Sequence, residues 1–140
     1  MKLSTKGRYG VAAMYELALH YGEGPISLKS IATSQGISEH YLEQLICTLR
    51  NAGYVTSVRG AQGGYVLSKD PACITVGDII TTMEGPIALV DCLLTNADEN
   101  SYCEKAGACV TRGVWAKVCD SINSVLESIS LADLCREEKN

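Results

Sequence analysis

Residues 38–65 read SEHYLEQLICTLRNAGYVTSVRGAQGGY, and this stretch decides the fold. Its first half predicts a helix over Glu39–Asn51, because Ser38 is a good N-cap and Gly53 is a good C′ residue. The apolar residues that recur at steps of three and four form its inner face: Leu42, Leu45, Ile46 and Leu49. Its second half has strand composition on both sides of a glycine-rich turn, which predicts a β-hairpin.

The segment before this stretch supplies the rest of a helix-turn-helix. Apolar residues at helical spacing predict a first helix from Leu3 to Tyr21, with Tyr21 on the inner face. Ser27 opens a short second helix over 28–32, which ends near Gly36. Two short helices broken by a turn are the helix-turn-helix pattern, and the hairpin that follows them makes a wing.

The rest of the chain predicts two more helical regions separated by a loop. Thr75 and Asp78 have the spacing of a capping box and start a fourth helix, which ends at Gly85. Residues 91–108 are polar and without periodicity. A long apolar stripe then follows Val110, and Ser130 caps a short terminal helix; the stripe consists of Val114, Val118, Ile122, Val125 and Ile129.

These elements predict a mainly α protein, a winged helix-turn-helix with a β-hairpin wing plus a long C-terminal dimerisation helix. We divide it into a DNA-binding domain at 1–85, a cysteine-bearing cluster loop at 86–109, and a dimerisation helix with a short terminal helix at 110–140. The apolar stripe is wider than one small winged domain can cover, so the long helix should pack against its copy.

Composition narrows the class of protein. The 140 residues are 46% hydrophobic and 20% charged, as in a globular chain. No apolar run approaches the roughly 20 residues that a bilayer requires, and residues 1–8 have no apolar core or cleavage site, so we expect a cytoplasmic protein without membrane contact. There is no catalytic His/carboxylate constellation and no phosphate loop, so we expect no enzyme.

The net charge of −4 hides an asymmetry along the chain. Residues 1–71 carry seven Lys/Arg against five Asp/Glu, whereas residues 72–140 carry five against eleven. The mild positive excess therefore lies in the half where we expect DNA contact, although it falls short of a basic stripe.

The candidate DNA-binding residues lie on the third helix and the wing. An α-helix fits the major groove, where Gln44 can pair with adenine and Glu43 can accept from the cytosine amino group. Arg59 at the hairpin tip suits a narrow minor groove. The full set is Ser38, His40, Tyr41, Glu43, Gln44, Arg50, Arg59 and Gly60. The alternatives are that Glu43 and His40 are solvated surface residues and that Gly63 and Gly64 only form a turn.

Three of the seven cysteines are candidate metal ligands. Cys92, Cys103 and Cys109 lie in the one irregular stretch, and soft thiolate ligands suit iron–sulfur clusters or zinc. The alternative is a set of scattered surface cysteines. The others are interpreted as small structural residues: Cys47, Cys73, Cys119 and Cys135.

Three separated motifs carry a family resemblance: residues 1–10 (MKLSTKGRYG), 41–45 (YLEQL) and 58–65 (VRGAQGGY). Together they resemble the Rrf-Two family of dimeric bacterial winged-helix transcription regulators, across essentially the whole chain. The resemblance implies that the helix bearing Tyr41–Gln44 enters the major groove of a palindromic operator and that Arg59 and Gly60 enter the minor groove.

The resemblance also bears on the cysteines. Cluster-binding members carry three cysteines between the fourth helix and the long helix, which implies that Cys92, Cys103 and Cys109 hold an iron–sulfur cluster, with 2Fe–2S favoured over 4Fe–4S. The chain is most similar to the iron–sulfur cluster regulators, but Arg112 stands where they carry a His. Arg8 stands where nitric-oxide sensors of the family supply an acidic ligand from the partner chain. The fourth ligand therefore stays open.

We therefore expect a homodimeric regulator that senses an iron–sulfur cluster and controls genes of cluster biogenesis. Three alternatives remain. One is a nitric-oxide or redox sensor of the same family. Another is a cluster-free cysteine-metabolism repressor with a protein partner, although that member lacks the cysteine trio. The third is a cluster carrier without DNA binding.

Overall fold

The computed structural model describes residues 3–85 and 110–138. The proposed ligands Cys92, Cys103 and Cys109 lie outside the described residues. The elements are α1 (Thr5–Leu19), α2 (Leu28–Gln35), α3 (Glu39–Asn51), β1 (Val55–Val58), β2 (Gly64–Leu67), α4 (Val76–Glu84), α5 (Val110–Ser128) and α6 (Leu131–Glu138), with one 3₁₀ turn at Pro71–Cys73.

Side-chain caps begin the helices where the sequence predicts them. The Ser38 hydroxyl accepts from the Tyr41 backbone N–H at 3.2 Å, so α3 has the predicted bounds. At α4, Thr75 and Asp78 exchange two 3.0 Å hydrogen bonds, which confirms the capping box. The first helix is shorter than predicted, because the chain turns after Leu19; Tyr21 is 48% exposed, and its predicted inner-face position is wrong.

The wing is an antiparallel hairpin that is also tied to the segment before α2. Val55 pairs with Leu67 and Val58 with Gly64 in the β1–β2 register. Ile26 and Tyr65 then exchange two backbone hydrogen bonds of 3.0 and 2.8 Å on the other side of β2. A Cβ at Gly64 would lie 2.1 Å from the Ile26 carbonyl oxygen. This glycine is therefore required by close backbone packing, beyond any role in the turn.

One hydrophobic core joins the winged helix-turn-helix to the C-terminal helix. Leu131, the first residue of α6, is fully buried in the same cluster as the inner residues of α1 and α3. The junction between α5 and α6 is fixed by hydrogen bonds from Val76 N–H to Ile129 and from Leu131 N–H to Ile74, at 2.8 and 2.9 Å. The C-terminal end of α5 is thus held against the start of α4. The division of the chain into three regions remains a prediction.

The long helix α5 leaves an apolar face uncovered in the single protomer. Val114, Val118 and Val125 are 49%, 39% and 57% exposed, although an apolar side chain gains free energy when it leaves water. None of the helices in the two described ranges is long and apolar enough to cross a membrane.

Two of the four described cysteines are not where the sequence interpretation puts them. Cys47 and Cys73 are both exposed, so their interpretation as small structural residues is wrong. Cys47 is a sequence neighbour of apolar residues but lies on the other side of α3, and in the 3₁₀ turn Pro71 is buried instead of Cys73. Cys119 is buried in α5 and Cys135 packs half-buried against the core, which confirms that interpretation for both.

Candidate nucleic-acid interface

The helix α3 has one face in the core and one face in solvent. Its inner residues, Leu42, Leu45, Ile46 and Leu49, are at most 1% exposed. The opposite face presents His40, Glu43, Gln44 and Cys47, which line a shallow open groove of about 440 Å³. We call these four residues the reading face, because they are the exposed side chains of the helix expected to enter the major groove.

Two side chains of the reading face contact each other. The Gln44 Nε2 atom lies 3.3 Å from His40 Nε2, one helical turn away, so the amide donates when that ring nitrogen carries the lone pair. Holding the amide in one orientation lowers the entropy lost when it pairs with a base.

Two of the predicted DNA-binding residues, Ser38 and Tyr41, also help to hold α3 in place. Ser38 caps the helix, as described above, and leaves its hydroxyl hydrogen available for a phosphate oxygen. The ring of Tyr41 is half-buried and meets the ring of Tyr9 edge to face, with centroids 6.0 Å apart. Tyr9, a residue of the N-terminal motif for which the sequence predicted no contact, therefore links α1 to the start of α3.

Exposed arginines lie at the end of α3 and on the wing. Arg50 lies in the last turn of α3, and Arg59 lies beside Gly60, which adopts a φ of 118° at the wing tip. The turn closes with a 3.0 Å hydrogen bond from Gly63 N–H to the Gly60 carbonyl. Among the described residues, Arg59 forms no ion pair, so its guanidinium is available to DNA.

A further cation lies at the base of the wing. The ammonium group of Lys69 lies 5.3 Å from the centre of the Tyr54 ring, on the residues that precede β1 and follow β2. The Thr56 and Ser68 hydroxyls are hydrogen-bonded at 2.6 Å on the same hairpin. Lys69 was not identified from the sequence, although the predicted hairpin brings residues 54 and 69 to the same end of the wing.

The site thus combines the polar, exposed face of α3 with exposed cations on α3 and the wing. Cations position a protein on the phosphate backbone, and side chains with paired donors and acceptors read base edges. A family model described as Rrf2, iron-dependent transcriptional regulator, matches residues 3–137. The chain belongs to the Rrf2 family of transcriptional regulators.

Relatives within the Rrf2 family cover almost the whole chain. The HTH-type transcriptional regulator CymR of Bacillus subtilis is 52% identical over 134 residues, which are 96% of this chain and 89% of that protein. The HTH-type transcriptional regulator IscR of Yersinia pseudotuberculosis is 41% identical over 138 residues, 99% of this chain and 81% of that protein. The resemblance found in the three sequence motifs is therefore confirmed.

Solved Rrf2 structures confirm the fold. The structure of CymR, described as the global cysteine regulator of B. subtilis, matches with a TM-score of 0.81 at 50% identity and covers 98% of both chains. The structure of T. potens IscR matches with a TM-score of 0.80 at 52% identity, covering 99% of this chain and 88% of that one. The predicted winged helix-turn-helix with a long C-terminal helix is thus correct.

The three cysteines predicted to bind a metal lie outside the described residues, so their role as ligands remains a prediction. Within residues 3–85 and 110–138, no group of three or more His, Cys, Asp or Glu residues is placed to hold a metal ion. Cys109 immediately precedes Val110, the first residue of α5, so the predicted cluster loop leads directly into this helix. Cys119 lies nine residues into α5, about 13.5 Å along its axis at 1.5 Å per residue, and is buried there.

Proposed function

We propose that this Rrf2-family regulator is a homodimer that binds a palindromic operator, and that an iron–sulfur cluster held by Cys92, Cys103 and Cys109 sets its affinity for that operator. Genes of iron–sulfur cluster biogenesis are the proposed targets. The observation that carries the DNA-binding part is the reading face of α3, exposed opposite a fully buried inner face.

The chemistry of the exposed groups supports sequence-specific DNA binding. Glu43 repels phosphate unless it meets a donor on a base edge, and Gln44 can give two hydrogen bonds to adenine. Arg50 in the last turn of α3 and Arg59 on the wing can neutralise phosphates or enter the minor groove. A protein that bound DNA through charge alone would have little use for a carboxylate at Glu43, on the exposed face of α3.

The uncovered face of α5 supports the homodimer. A second copy related by two-fold symmetry would cover the exposed valines of one α5 with those of the other. The same symmetry presents two α3 helices to two half-sites, which is why the operator should be palindromic.

The donor set of residues 92–109 supports the cluster. Cysteine thiolates are the usual ligands of iron–sulfur clusters, and the loop supplies three of the four that a cluster ordinarily takes. The family model that matches the chain is described as iron-dependent. We favour 2Fe–2S over 4Fe–4S, and the fourth ligand is not assigned. When bound, the cluster supplies a centre that responds to iron supply, oxidants or nitric oxide.

The helix α5 would connect a change in that loop to the DNA-binding half of the protein. Its first residue follows Cys109 directly, and Ile129, the residue after its last turn, accepts a hydrogen bond from Val76 N–H at the start of α4. A rearrangement at Cys109 therefore acts on the helix that sets the distance between the two winged halves. Coupling of this kind is a difference in DNA affinity between two states of the protein.

The second candidate is a cluster-free repressor of cysteine metabolism that responds to a protein partner. The 52% identity with B. subtilis CymR favours it. Cys92, Cys103 and Cys109 distinguish the two proposals, because a cluster-free repressor has no use for three thiolates in one short loop. A cluster carrier without DNA binding would have no use for the exposed Arg59 and Gln44.

We expect Gln44→Ala and Glu43→Ala to change which DNA sequence the protein prefers. Base contacts carry sequence information, whereas phosphate contacts set register, so each variant should lose affinity for the operator and keep its affinity for random DNA. Each lost pair should cost about 1–3 kcal/mol of discrimination. Titration of both duplexes at fixed salt measures this.

Glu137→Ala is the matched control for Glu43→Ala, since it removes an exposed carboxylate from α6 instead of α3. It should leave both affinities unchanged. Equal losses for operator and random DNA in the α3 variants would show that these residues do not read bases.

A further inference from the structure

We infer that Glu84, the last residue of α4, is a positioning residue that links the cysteine-bearing segment to α3 through the start of α1. This inference rests on the proposed cluster and on the proposed binding of α3 to DNA. It begins from the N-terminal motif at residues 1–10, to which the proposed function assigns no role.

The carboxylate of Glu84 is bound at the N-terminal end of α1. Its Oε1 atom accepts a 2.7 Å hydrogen bond from the Ser4 backbone N–H and a second hydrogen bond from the Ser4 hydroxyl. Ser4 is the N-cap of α1, and its Oγ atom in turn accepts from the Gly7 N–H at 3.3 Å. A carboxylate is stabilised at this end of a helix by the unpaired N–H groups and the helix dipole. The last turn of α4 is therefore held against the first turn of α1, although Ser4 and Glu84 are 80 positions apart in the chain.

Two glycines of α1 show how close this contact is. Gly7 and Gly10 lie three residues apart on one face of the helix, and both are buried. A Cβ at Gly7 would lie 2.7 Å from Glu84 Oε1, and a Cβ at Gly10 would lie 2.8 Å from Met83 Cγ. Glycine destabilises a helix interior relative to alanine, so the close approach of α4 explains its presence twice on this face.

Glu84 also lies where the chain enters the segment that carries the proposed ligands. It is followed by Gly85, whose N–H donates to the Thr81 carbonyl at 2.8 Å and closes the last turn of α4. Cys92 follows Glu84 by eight positions. A change in the path of the chain after Gly85 therefore acts directly on the last turn of α4 and on the carboxylate that it carries.

Two aromatic rings connect the start of α1 to α3. Tyr9 lies two residues after Gly7, and its ring meets the ring of Tyr41 edge to face at 6.0 Å. The Tyr41 N–H is the group that Ser38 caps at the start of α3. A displacement of the first turns of α1 therefore shifts the end of α3 that is expected to approach the bases. These contacts lie within one protomer and add a second connection to the one through α5.

The test uses two substitutions that break the same contact from opposite sides. Glu84→Ala removes the carboxylate, whereas Gly7→Ala keeps the carboxylate and displaces it with a Cβ that would lie only 2.7 Å away. Alanine favours a helix more than glycine does, so Gly7→Ala does not act by unfolding α1. Glu23→Ala is the matched control, because it removes an exposed carboxylate beyond the other end of α1.

Operator affinity is measured by titration for each protein with its cluster and after chelation. The two forms should differ by about tenfold or more in the wild-type protein and in Glu23→Ala, and by less than about threefold in Glu84→Ala and Gly7→Ala. Visible absorption and gel filtration should show that all four proteins keep the cluster and the dimer.

Hydrogen exchange gives a second measurement that needs no DNA. Removal of the cluster should change the exchange rate of the peptide that covers the start of α1 in the wild-type protein, as followed by mass spectrometry. The same step should leave that rate unchanged in Glu84→Ala and Gly7→Ala, because their α1 is no longer joined to the end of α4.

The outcomes separate this inference from the proposed function. A full difference in operator affinity that persists in either variant overturns the inference and leaves the proposed function intact. Loss of the cluster in either variant also overturns it, because the carboxylate would then belong to the metal site. A wild-type protein that stays colourless, or that binds the operator equally in both forms, removes the proposed function and this inference together.

Discussion

Replacing Cys92, Cys103 or Cys109 with alanine should yield a colourless protein that is still a folded dimer. Each substitution removes one of three thiolate ligands, and a cluster that is short of a ligand is lost or never assembles. The fold should survive, because the core is built from residues 13–83 and Leu131. Visible absorption with iron and sulfide counts after anaerobic purification measures the cluster, and gel filtration measures the dimer.

The other cysteines provide the controls for this experiment. Cys47→Ala, Cys73→Ala and Cys135→Ala should keep the colour. Cys119→Ala should also keep it, because this thiol is buried in α5 about 13.5 Å along the helix axis from Val110, too far from Cys109 to share a cluster with it. A stable cluster in any one of the three loop variants would overturn the proposed ligand set.

Arg59→Ala should weaken operator binding by on the order of 1–3 kcal/mol at fixed salt. The side chain lies at the wing tip beside Gly60, where no bulky neighbour separates it from a narrow groove. The negative potential of such a groove attracts a guanidinium more strongly than an exposed phosphate does. Titration of a labelled operator at several salt concentrations gives both the affinity and the number of ions released.

Arg136→Ala is the matched control, since it removes the same charge from α6, where the guanidinium contacts Asp133. Operator affinity should not change in this variant. Arg59→Lys should restore only part of the loss, because an ammonium group lacks the planar fork of donors. Unchanged affinity in Arg59→Ala, with the dimer intact, would remove the wing from the DNA contact.

Local signals made most of the fold predictable. Ser38, Thr75 and Ser130 each cap the helix that follows, because a short hydroxyl side chain satisfies backbone N–H groups within three residues. The bounds of α3 and the position of the hairpin follow from such contacts together with the apolar spacing. These interactions need no information from distant parts of the chain.

Long-range contacts account for most of what the sequence did not predict. The pairing of Ile26 with Tyr65 requires a glycine at position 64, yet the two paired residues are 39 positions apart in the chain. The contact between Tyr9 and Tyr41 likewise joins α1 to α3. The spacing of apolar residues within either helix does not predict this contact. Such pairs depend on how the elements pack.

The sequence was sufficient to name the exposed residues of the candidate site, but it was less informative about the role of each residue. The exposed polar side chains of α3 were named from the sequence, but Tyr41 proved to be largely a packing residue of the α1–α3 contact. Cys47 was assigned to the core because it follows Leu45 and Ile46 in the chain. In a helix, the direction of a side chain depends on its angular position, and that angle turns Cys47 toward the groove.

The central claim is that one protein both holds a cluster and changes its operator affinity with it. The most direct measurement is titration of a selected operator with the anaerobically purified protein, first with its cluster and then after the cluster has been removed by a chelator. We predict a coloured protein with bound iron and sulfide, and affinities that differ at least tenfold between the two forms. A protein that stays colourless under anaerobic reconstitution, or equal affinities for the two forms, would contradict the claim and favour the cluster-free repressor.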